Sequence, residues 1–320
     1  MRIEIGANES GQRVDKFCRK WLKDVPLGAI FKAFRKGDIR VNEKKVKQNY
    51  YLQEGDIVEV RYLESNKAKK PKEFQQVDFS SMKVTYEDEN ILILEKWPGI
   101  LVHSDRKNGE PTLTDYALSY LYEKGDYNPE SEVTFTPAPC NRLDRNTSGI
   151  VIYGKNFQSL KSLNEMIRER KIKKYYTTLV KGKIKEGMYE AYILKDEINN
   201  ISQIFKDKKP NSKKISMEVK VMDTVGSYSL LEIELITGRS HQLRAHLAYL
   251  GNPIVGDDKY GDRKLNSFFH NKYGLSFQFL YAYKLIFRDC PEELSYMENK
   301  TITETLPPIF KKIKNDVLKF

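Results

Sequence analysis

With 320 residues and 40% hydrophobic side chains, the chain can form more than one domain and bury a sizeable core. A formal charge of +11 and a pI near 9.2 favour a polyanionic partner, nucleic acid or an anionic membrane surface, although such charge can also serve solubility alone. No apolar run approaches the ~18 residues of a membrane span. The opening MRIEIGANESGQRVDKF lacks the apolar stretch of a secretory signal, so a cytoplasmic protein without membrane contact is expected. Cys18, Cys140 and Cys290 are too few and too scattered for a disulfide framework or a metal site.

The charge is uneven. Residues 1–72 hold 18 Lys and Arg against 10 Asp and Glu, eight of the eleven surplus charges. Within them RVDKFCRKWLKD sets Val14, Phe17, Trp21 and Leu22 at helical spacing. LGAIFKAFRKG predicts a second short helix closed by Gly37. IRVNEKKV predicts a strand and tight turn around Asn42, and IVEVRYL another strand. RVDKF, FRKGDIRVNEKKV and LQEGDIVEV resemble the alpha-L RNA-binding domain named after the fourth small-subunit ribosomal protein, over roughly residues 11–62. That resemblance implies RNA contacts from Lys32, Arg35, Lys36, Lys44 and Lys45. Each of them alone would serve equally well as a solvated surface charge. ESNKAKKPKEFQQ, residues 64–76, reads as a Lys-rich linker and separates a domain of residues 1–72 from one of residues 77–320.

Beyond the linker the pattern changes. Strands are expected at Ile91–Leu94, Gly149–Tyr153 and in KYYTTLVKG, ISMEVKVMD and SYSLLEIELI. Helices are expected in TLTDYALSYLYE, SLKSLNEMIRERK and HQLRAHLAYLG. Consecutive strands that outnumber the helices predict an α+β fold with a mixed or largely antiparallel sheet. Residues 184–214 read as extended loop with short strands.

Three stretches carry candidate chemistry. In NRLDRNTSG, Asp144 sits between Arg142 and Arg145 in a loop before a strand. Neighbouring arginines favour an ionised carboxylate, fit to act as nucleophile or base. From these nine residues alone, a salt-bridged turn aspartate explains the pattern better. Leu143 reads as packing beneath Asp144. In RERKIKKYYTTLVKG a basic helix end enters a strand whose alternation sends Tyr175 and Tyr176 to opposite faces. One ring can face a core and the other stack on a nucleobase. In TGRSHQLRAHLAYLGNPIVGDDKYG a strand turns into a helix with Ser240 as expected N-cap and Gly251 and Pro253 as stop. Arg239, His241 and Arg244 crowd its start, against the helix dipole, at a cost of typically ~0.3–1 kcal/mol each. An anion nearby, a phosphate or Asp144 itself, would account for them. His246 falls on the apolar side as a packed, hydrogen-bonded core histidine. Asp257 and Asp258 read as turn residues.

NRLDRNTSGIVIYGKN, KKYYTTLVKG and TGRSHQLRAHLAYLGNPIVGDDKYG, in that order, resemble the three motifs of the RluA-type pseudouridine synthases, and ENILILEKWPGILVHSD resembles that family's opening segment. The resemblance covers most of residues 11–290 and is nearest the branch acting on large-subunit ribosomal RNA, with transfer RNA as the other option. It implies a reaction without metal or cofactor. Asp144 would be the carboxylate that assists cleavage of the bond between ribose and uracil, before the freed base rejoins through carbon 5. It further implies Tyr176 as the ring packed on the target base, beside Lys174; Arg244 as the partner of Asp144; and Arg142 as the side chain entering RNA when the uridine turns out. Arg239 and His241 are further expected RNA contacts, and a monomer is the working expectation. The sequence departs from the family at Asn141, usually His; at Trp97, usually Pro or a small residue; and at His103-Ser104, usually His-Pro. His103 is left open. The rival readings are a non-catalytic RNA-binding protein that kept the fold, which the presence of Asp144, Tyr176 and Arg244 argues against, and a glycoside hydrolase, which would want a second well-placed carboxylate.

Overall fold

The computed structural model describes residues 1–63, 74–104, 109–129 and 134–318. Most of the expected linker therefore lies outside the described residues. The amino-terminal part comprises β1 (Arg2–Glu4), α1 (Val14–Trp21), α2 (Leu27–Lys36), β2 (Ile39–Val41), β3 (Lys44–Lys45) and β4 (Ile57–Val60). Its antiparallel sheet has the order β1-β4-β2-β3. Val14, Phe17, Ile30, Phe34, Ile39 and Val58 form its own core. Gly37 closes α2 in the left-handed region, at φ 80°, and its N–H reaches the carbonyls of Ala33 and Phe34. The β2–β3 turn needs two successive positive φ angles, at Asn42 (50°) and Glu43 (65°). Asn42 fits because its amide bridges onward, donating to Asp56 at 2.7 Å and accepting from the Ile57 N–H at 2.8 Å. The strand β1 was not anticipated.

The larger part contains β5 (Lys83–Glu87), β6 (Ile91–Lys96), α3 (Leu113–Lys124), β7 (Ala138–Pro139), β8 (Ser148–Gly154), α4 (Phe157–Arg168), β9 (Ile172–Lys181), β10 (Gly187–Asp196), β11 (Ile201–Phe205), β12 (Lys213–Val225) and β13 (Tyr228–Leu235). There follow α5 (Gln242–Tyr249), α6 (Arg263–Tyr273), β14 (Leu280–Phe287), a 3-10 turn at Glu292–Met297, β15 (Thr301–Thr303) and α7 (Pro308–Val317). The sheet runs β11-β10-β12-β13-β9-β14-β8-β6-β5, with β15 beside β14 and β7 beside β8. Only the β14–β8 pair is parallel among the described strands, so the expected α+β fold with a mixed sheet is present.

β8 is buried on both faces, which its apolar sequence SGIVIYG anticipates. Val151 and Tyr153 face one core with Leu113, Ala117 and Leu121 of α3. Ile150 and Ile152 face another with Leu163 and Met166 of α4. Residues 184–214 depart from expectation. Instead of loop with short strands they build the ten-residue β10, the five-residue β11 and the start of the long β12. Ala191, Ile193 and Ile215 form a small apolar cluster there, and the many polar side chains of this outer region mask the period-2 signal.

One row of the sheet places the site. Tyr176 on β9 pairs with Ala282 on β14, and Ala282 pairs with Gly149 on β8. Two strand spacings, about 10 Å, therefore separate Tyr176 from the strand that follows the Asp144 loop. A Cβ at Gly149 would stand 2.2 Å from the Ala282 carbonyl oxygen, and its φ is 122°. The small pair Gly149 and Ala282 thus lets β8 close on β14 and leaves an open cleft above.

Candidate active site

A cleft of about 530 Å³ opens over that row. Asp144, Tyr176, Arg244, Arg142, Lys174, Arg239 and His241 all line it, although they come from three distant stretches of chain. Lys32, Arg35, Lys36, Lys44 and Lys45 do not. They are exposed on α2 and β3 of the amino-terminal part, where the Lys45 ammonium caps the end of α2 by donating to the Arg35 carbonyl at 2.7 Å.

The loop that carries Asp144 is held from below. Asn141 accepts from the Ile152 N–H at 2.8 Å and donates to the Ile150 carbonyl at 3.4 Å, so the amide replacing the family's usual His ties the loop to β8. Thr147 N–H closes a turn on the Asp144 carbonyl at 3.0 Å. The Arg145 carbonyl accepts from Gly99 N–H and from the Lys96 ammonium, at 2.9 and 2.7 Å. Leu143 is buried in the core, as expected. Trp97 packs edge-on against Tyr116 with 5.2 Å between ring centroids, so the departure there fills core space. His103 lines the cleft, and burial first, then the charge of Arg142, lower its pKa.

The carboxylate of Asp144 does not pair with the arginines beside it in sequence. Arg145 turns away to Glu110 at 2.9 Å, and Arg142 lies exposed at the cleft rim. The partner is Arg244, whose Nη1 donates to Asp144 Oδ2 at 3.2 Å. Arg244 is itself held by a residue that sequence reasoning assigned to a turn. Asp257, fully buried, receives Nε at 2.6 Å and Nη2 at 2.9 Å in a two-point grip. Asp257 also accepts the N–H groups of Lys259 and Tyr260, both at 3.0 Å. Burial opposes the guanidinium charge, and the two aspartates more than offset it, which keeps Arg244 a permanent cation. Asp258 is 67% exposed and stands 3.5 Å from Arg244, so it fits the turn reading.

The start of α5 departs from expectation. Ser240 does not cap it; His241 occupies the cap position in the left-handed region, φ 56°, with no side-chain cap bond. The Gln242 amide oxygen takes over, accepting from Arg239 N–H at 3.1 Å and Thr237 hydroxyl at 2.9 Å. A non-glycine residue at such a φ costs of order 1–3 kcal/mol and points to a site. Here it brings His241 Nδ1 to 2.9 Å from the Tyr260 hydroxyl, which also accepts from Ser202 N–H at 2.7 Å. Burial is the main cause of the lowered His241 pKa, which favours a neutral ring at pH 7. His246 is packed as expected, but its Nδ1 has no hydrogen-bond partner.

Tyr176 is 5% exposed at the cleft floor. Burial, then the charge of Asp144, push its phenol well above the usual range, so it stays protonated at pH 7. Tyr175 points to the opposite face and donates to Glu234 at 2.8 Å, fulfilling the expected division of the pair. Burial lowers the pKa of Lys174 and raises the Cys140 thiol to about 12, so Cys140 is no nucleophile at neutral pH. Among the described residues no cluster of three metal-ligating side chains occurs, and no helix is long and apolar enough to cross a membrane.

Lys96 was missed entirely. It is fully buried at the end of β6, donating to the carbonyls of Trp97 at 3.0 Å and Arg145 at 2.7 Å. Burial lowers its pKa to about 7, with Asp144 opposing that shift. Between about pH 7 and the unfolded value near 10.5, the unfolded chain holds a proton that the folded one does not. The penalty is fully present below pH 7 and is relieved as pH rises, so stability should climb across that window by several kcal/mol, about 1.4 per unit. Lys96→Met should flatten that slope in denaturant titrations at pH 7 and pH 9.5. Parallel slopes in the two proteins would contradict the assignment.

Comparison with known proteins agrees with this geometry. A profile of the RNA pseudouridylate synthase family matches residues 90–249. The chain belongs to that family and is an RNA pseudouridine synthase, an isomerase. Ribosomal large subunit pseudouridine synthase C of Vibrio vulnificus is 33% identical over 98% of this chain and 96% of its own length. The Escherichia coli protein of the same name is 34% identical over 82% of this chain and 81% of its own. In fold, the solved human RNA pseudouridylate synthase domain containing 4 overlays with a TM-score of 0.58, at 22% identity, over 73% of this chain and 92% of that one.

Proposed function

We propose that this synthase acts on large-subunit ribosomal RNA, as the names of its relatives state for those proteins, and that Asp144 carries the reaction. The observation supporting this is the Asp144–Arg244 contact of 3.2 Å at the floor of a cleft rimmed by Arg142, Arg168, Arg170 and Arg239. A fixed, ionised carboxylate beside an aromatic floor suits a uridine turned out of its strand, with Tyr176 beneath the base and Asp144 at the sugar. Asp144 assists cleavage between ribose and uracil, and the freed base rejoins through carbon 5. Extruding a base costs a few kcal/mol, which insertion of Arg142 and phosphate contacts from the rim help offset. The protein works as a cytoplasmic monomer.

Residues 1–72 act as a separate RNA-binding domain of the alpha-L type, with Lys32, Arg35, Lys36, Lys44 and Lys45 on phosphates, and residues 77–320 as the catalytic domain. Removing residues 1–72 should weaken RNA affinity and flatten its dependence on salt, each lost phosphate contact taking roughly 0.7–0.9 from the slope of log K against log salt. Binding curves at several salt concentrations measure this, and an unchanged slope would refute the division of labour. A map of pseudouridines in RNA from cells with and without the protein tests the substrate: a position lost from large-subunit RNA supports it, and a loss confined to transfer RNA overturns it.

A further inference from the structure

The amino-terminal part touches the larger part through a set of buried polar groups. The Glu9 carboxylate, 6% exposed, accepts from the Thr134 N–H at 3.2 Å and its hydroxyl at 3.1 Å. Gln12, 5% exposed, donates to the same hydroxyl at 3.3 Å. Asn8 accepts from the Phe157 N–H at 3.0 Å, at the first residue of α4. The Lys20 ammonium of α1 sits 5.8 Å from the centre of the Phe157 ring. A carboxylate at such burial persists only where donors replace water. Two donors on Thr134 do so from across the junction, and the charge of Lys20 acts on Glu9 from its own side. Glu9 presents its carboxylate from the turn closed by its own N–H on the Gly6 carbonyl.

The position of this contact matters. Thr134 leads into β7, which pairs with the far end of β8, Ala138 opposite Gly154 and Pro139 opposite Tyr153. Phe157 follows that same end. Asp144 precedes the near end. The seven residues of β8 therefore stand between the junction and the cleft, about 23 Å at 3.3 Å per residue. Loops and linkers alone would let the two parts tumble independently, since contacts between domains are by default weak. A buried carboxylate shared between them does not.

We propose that Glu9, with Asn8 and Gln12, docks the amino-terminal part onto Thr134 and Phe157 at a fixed distance from Asp144, so that the pair reads RNA as one rigid gauge and the docking selects which uridine reaches the cleft. This rests on the reading of Asp144 as the reacting carboxylate and of residues 1–72 as an RNA-binding unit. The three docking residues touch no substrate and act as positioning residues.

Two variants of the full chain test it from opposite sides of the junction: Glu9→Ala and Thr134→Val. The latter leaves the amino-terminal part untouched and covers the case in which the former unfolds it. Each is assayed on full-length large-subunit RNA and on a short stem-loop carrying only the target uridine. Loss of a buried, charge-assisted contact should raise KM for the long RNA roughly tenfold. The value of kcat, and the stem-loop reaction, should not move. Modified-site sequencing should show new minor positions on the long RNA. Hydrogen exchange at the backbone amides of positions 134 and 157 should quicken together in both variants. Equal losses on both RNAs, or unchanged KM and site choice on the long one, would overturn the proposal. Asp144→Asn protein fully active on both RNAs would instead remove the underlying reading of Asp144.

Discussion

Asp144→Asn is expected to end pseudouridine formation, by at least ~10⁴-fold in single-turnover rate, while RNA affinity stays within a few-fold of wild type. The substitution keeps the shape of the side chain and its place in the loop, which Asn141, Thr147 and Lys96 hold independently. It removes the negative charge on which the proposed reaction depends, and neither nearby carboxylate can take over. Asp257 is fully buried and engaged at both oxygens by Arg244, and Asp258 is turned to solvent. Folding should barely notice. Arg244 retains its grip on Asp257, and the lost pair is partly exposed, where ion pairs contribute up to about 1 kcal/mol. Binding should persist because, on the proposed reading, affinity comes from the basic rim and the amino-terminal lysines. Quantitation of pseudouridine in isolated ribosomal RNA, beside a filter-binding isotherm, separates the two effects. Full conversion by the variant would remove Asp144 from the reaction and leave its carboxylate the role of tying a turn.

The seven cleft residues were legible because each falls in a short motif whose side chains have few alternative uses. A carboxylate between arginines, tyrosines on a strand after a basic helix end, and cations crowded at a helix start each ask for a partner. The structure lets them answer one another across 100 residues. The bland alternative, an Asp144 salt-bridged within its own turn, does not hold for Arg145, for a reason of direction. Arg145 lies on the far side of the turn and spends its charge on Glu110. What the sequence hid were groups whose role depends on burial. Lys96 ends an apolar strand, where a lysine ordinarily snorkels to water; here the Asp144 loop closes over it. Asp257 follows Gly256 and precedes another aspartate, the composition of an ordinary turn. Only the fold shows that one of the two points inward. A faint signal existed: Arg244 could not lie near a helix start in an apolar environment with one half-exposed carboxylate as its sole counter-charge. Tyr260, which joins His241, Ser202 and the Arg244 guanidinium at 5.3 Å from its ring centre, was hidden in the same way. The strand β10, one in from the sheet edge, escaped notice because only one face of it meets a core.

Asp257 therefore carries the second large expected effect. Arg244 is 4% exposed and Asp257 fully buried, so the pair lives where a lone charge is costly. Asp257→Ala should lower stability by about 3–5 kcal/mol, because it leaves a buried guanidinium without the acceptors of its Nε and Nη2 groups. It should also release Arg244 from the only orientation in which Nη1 meets Asp144, and a displacement near 1 Å at a reacting group costs on the order of 10² in rate. Asp257→Asn separates these losses. It keeps volume and one acceptor, so the fold should survive with a smaller loss of stability while kcat still falls roughly 10²-fold. KM for RNA should change little, since Asp257 is fully buried and Arg244 is spent on the two aspartates. Asp258→Ala is the control, expected to leave both quantities near wild type because its carboxylate is solvated. Thermal unfolding and single-turnover rates across the three variants would distinguish orientation from mere support. If Asp257→Asn reacts as fast as wild type, Arg244 finds its place without Asp257, and the two-point grip serves stability alone.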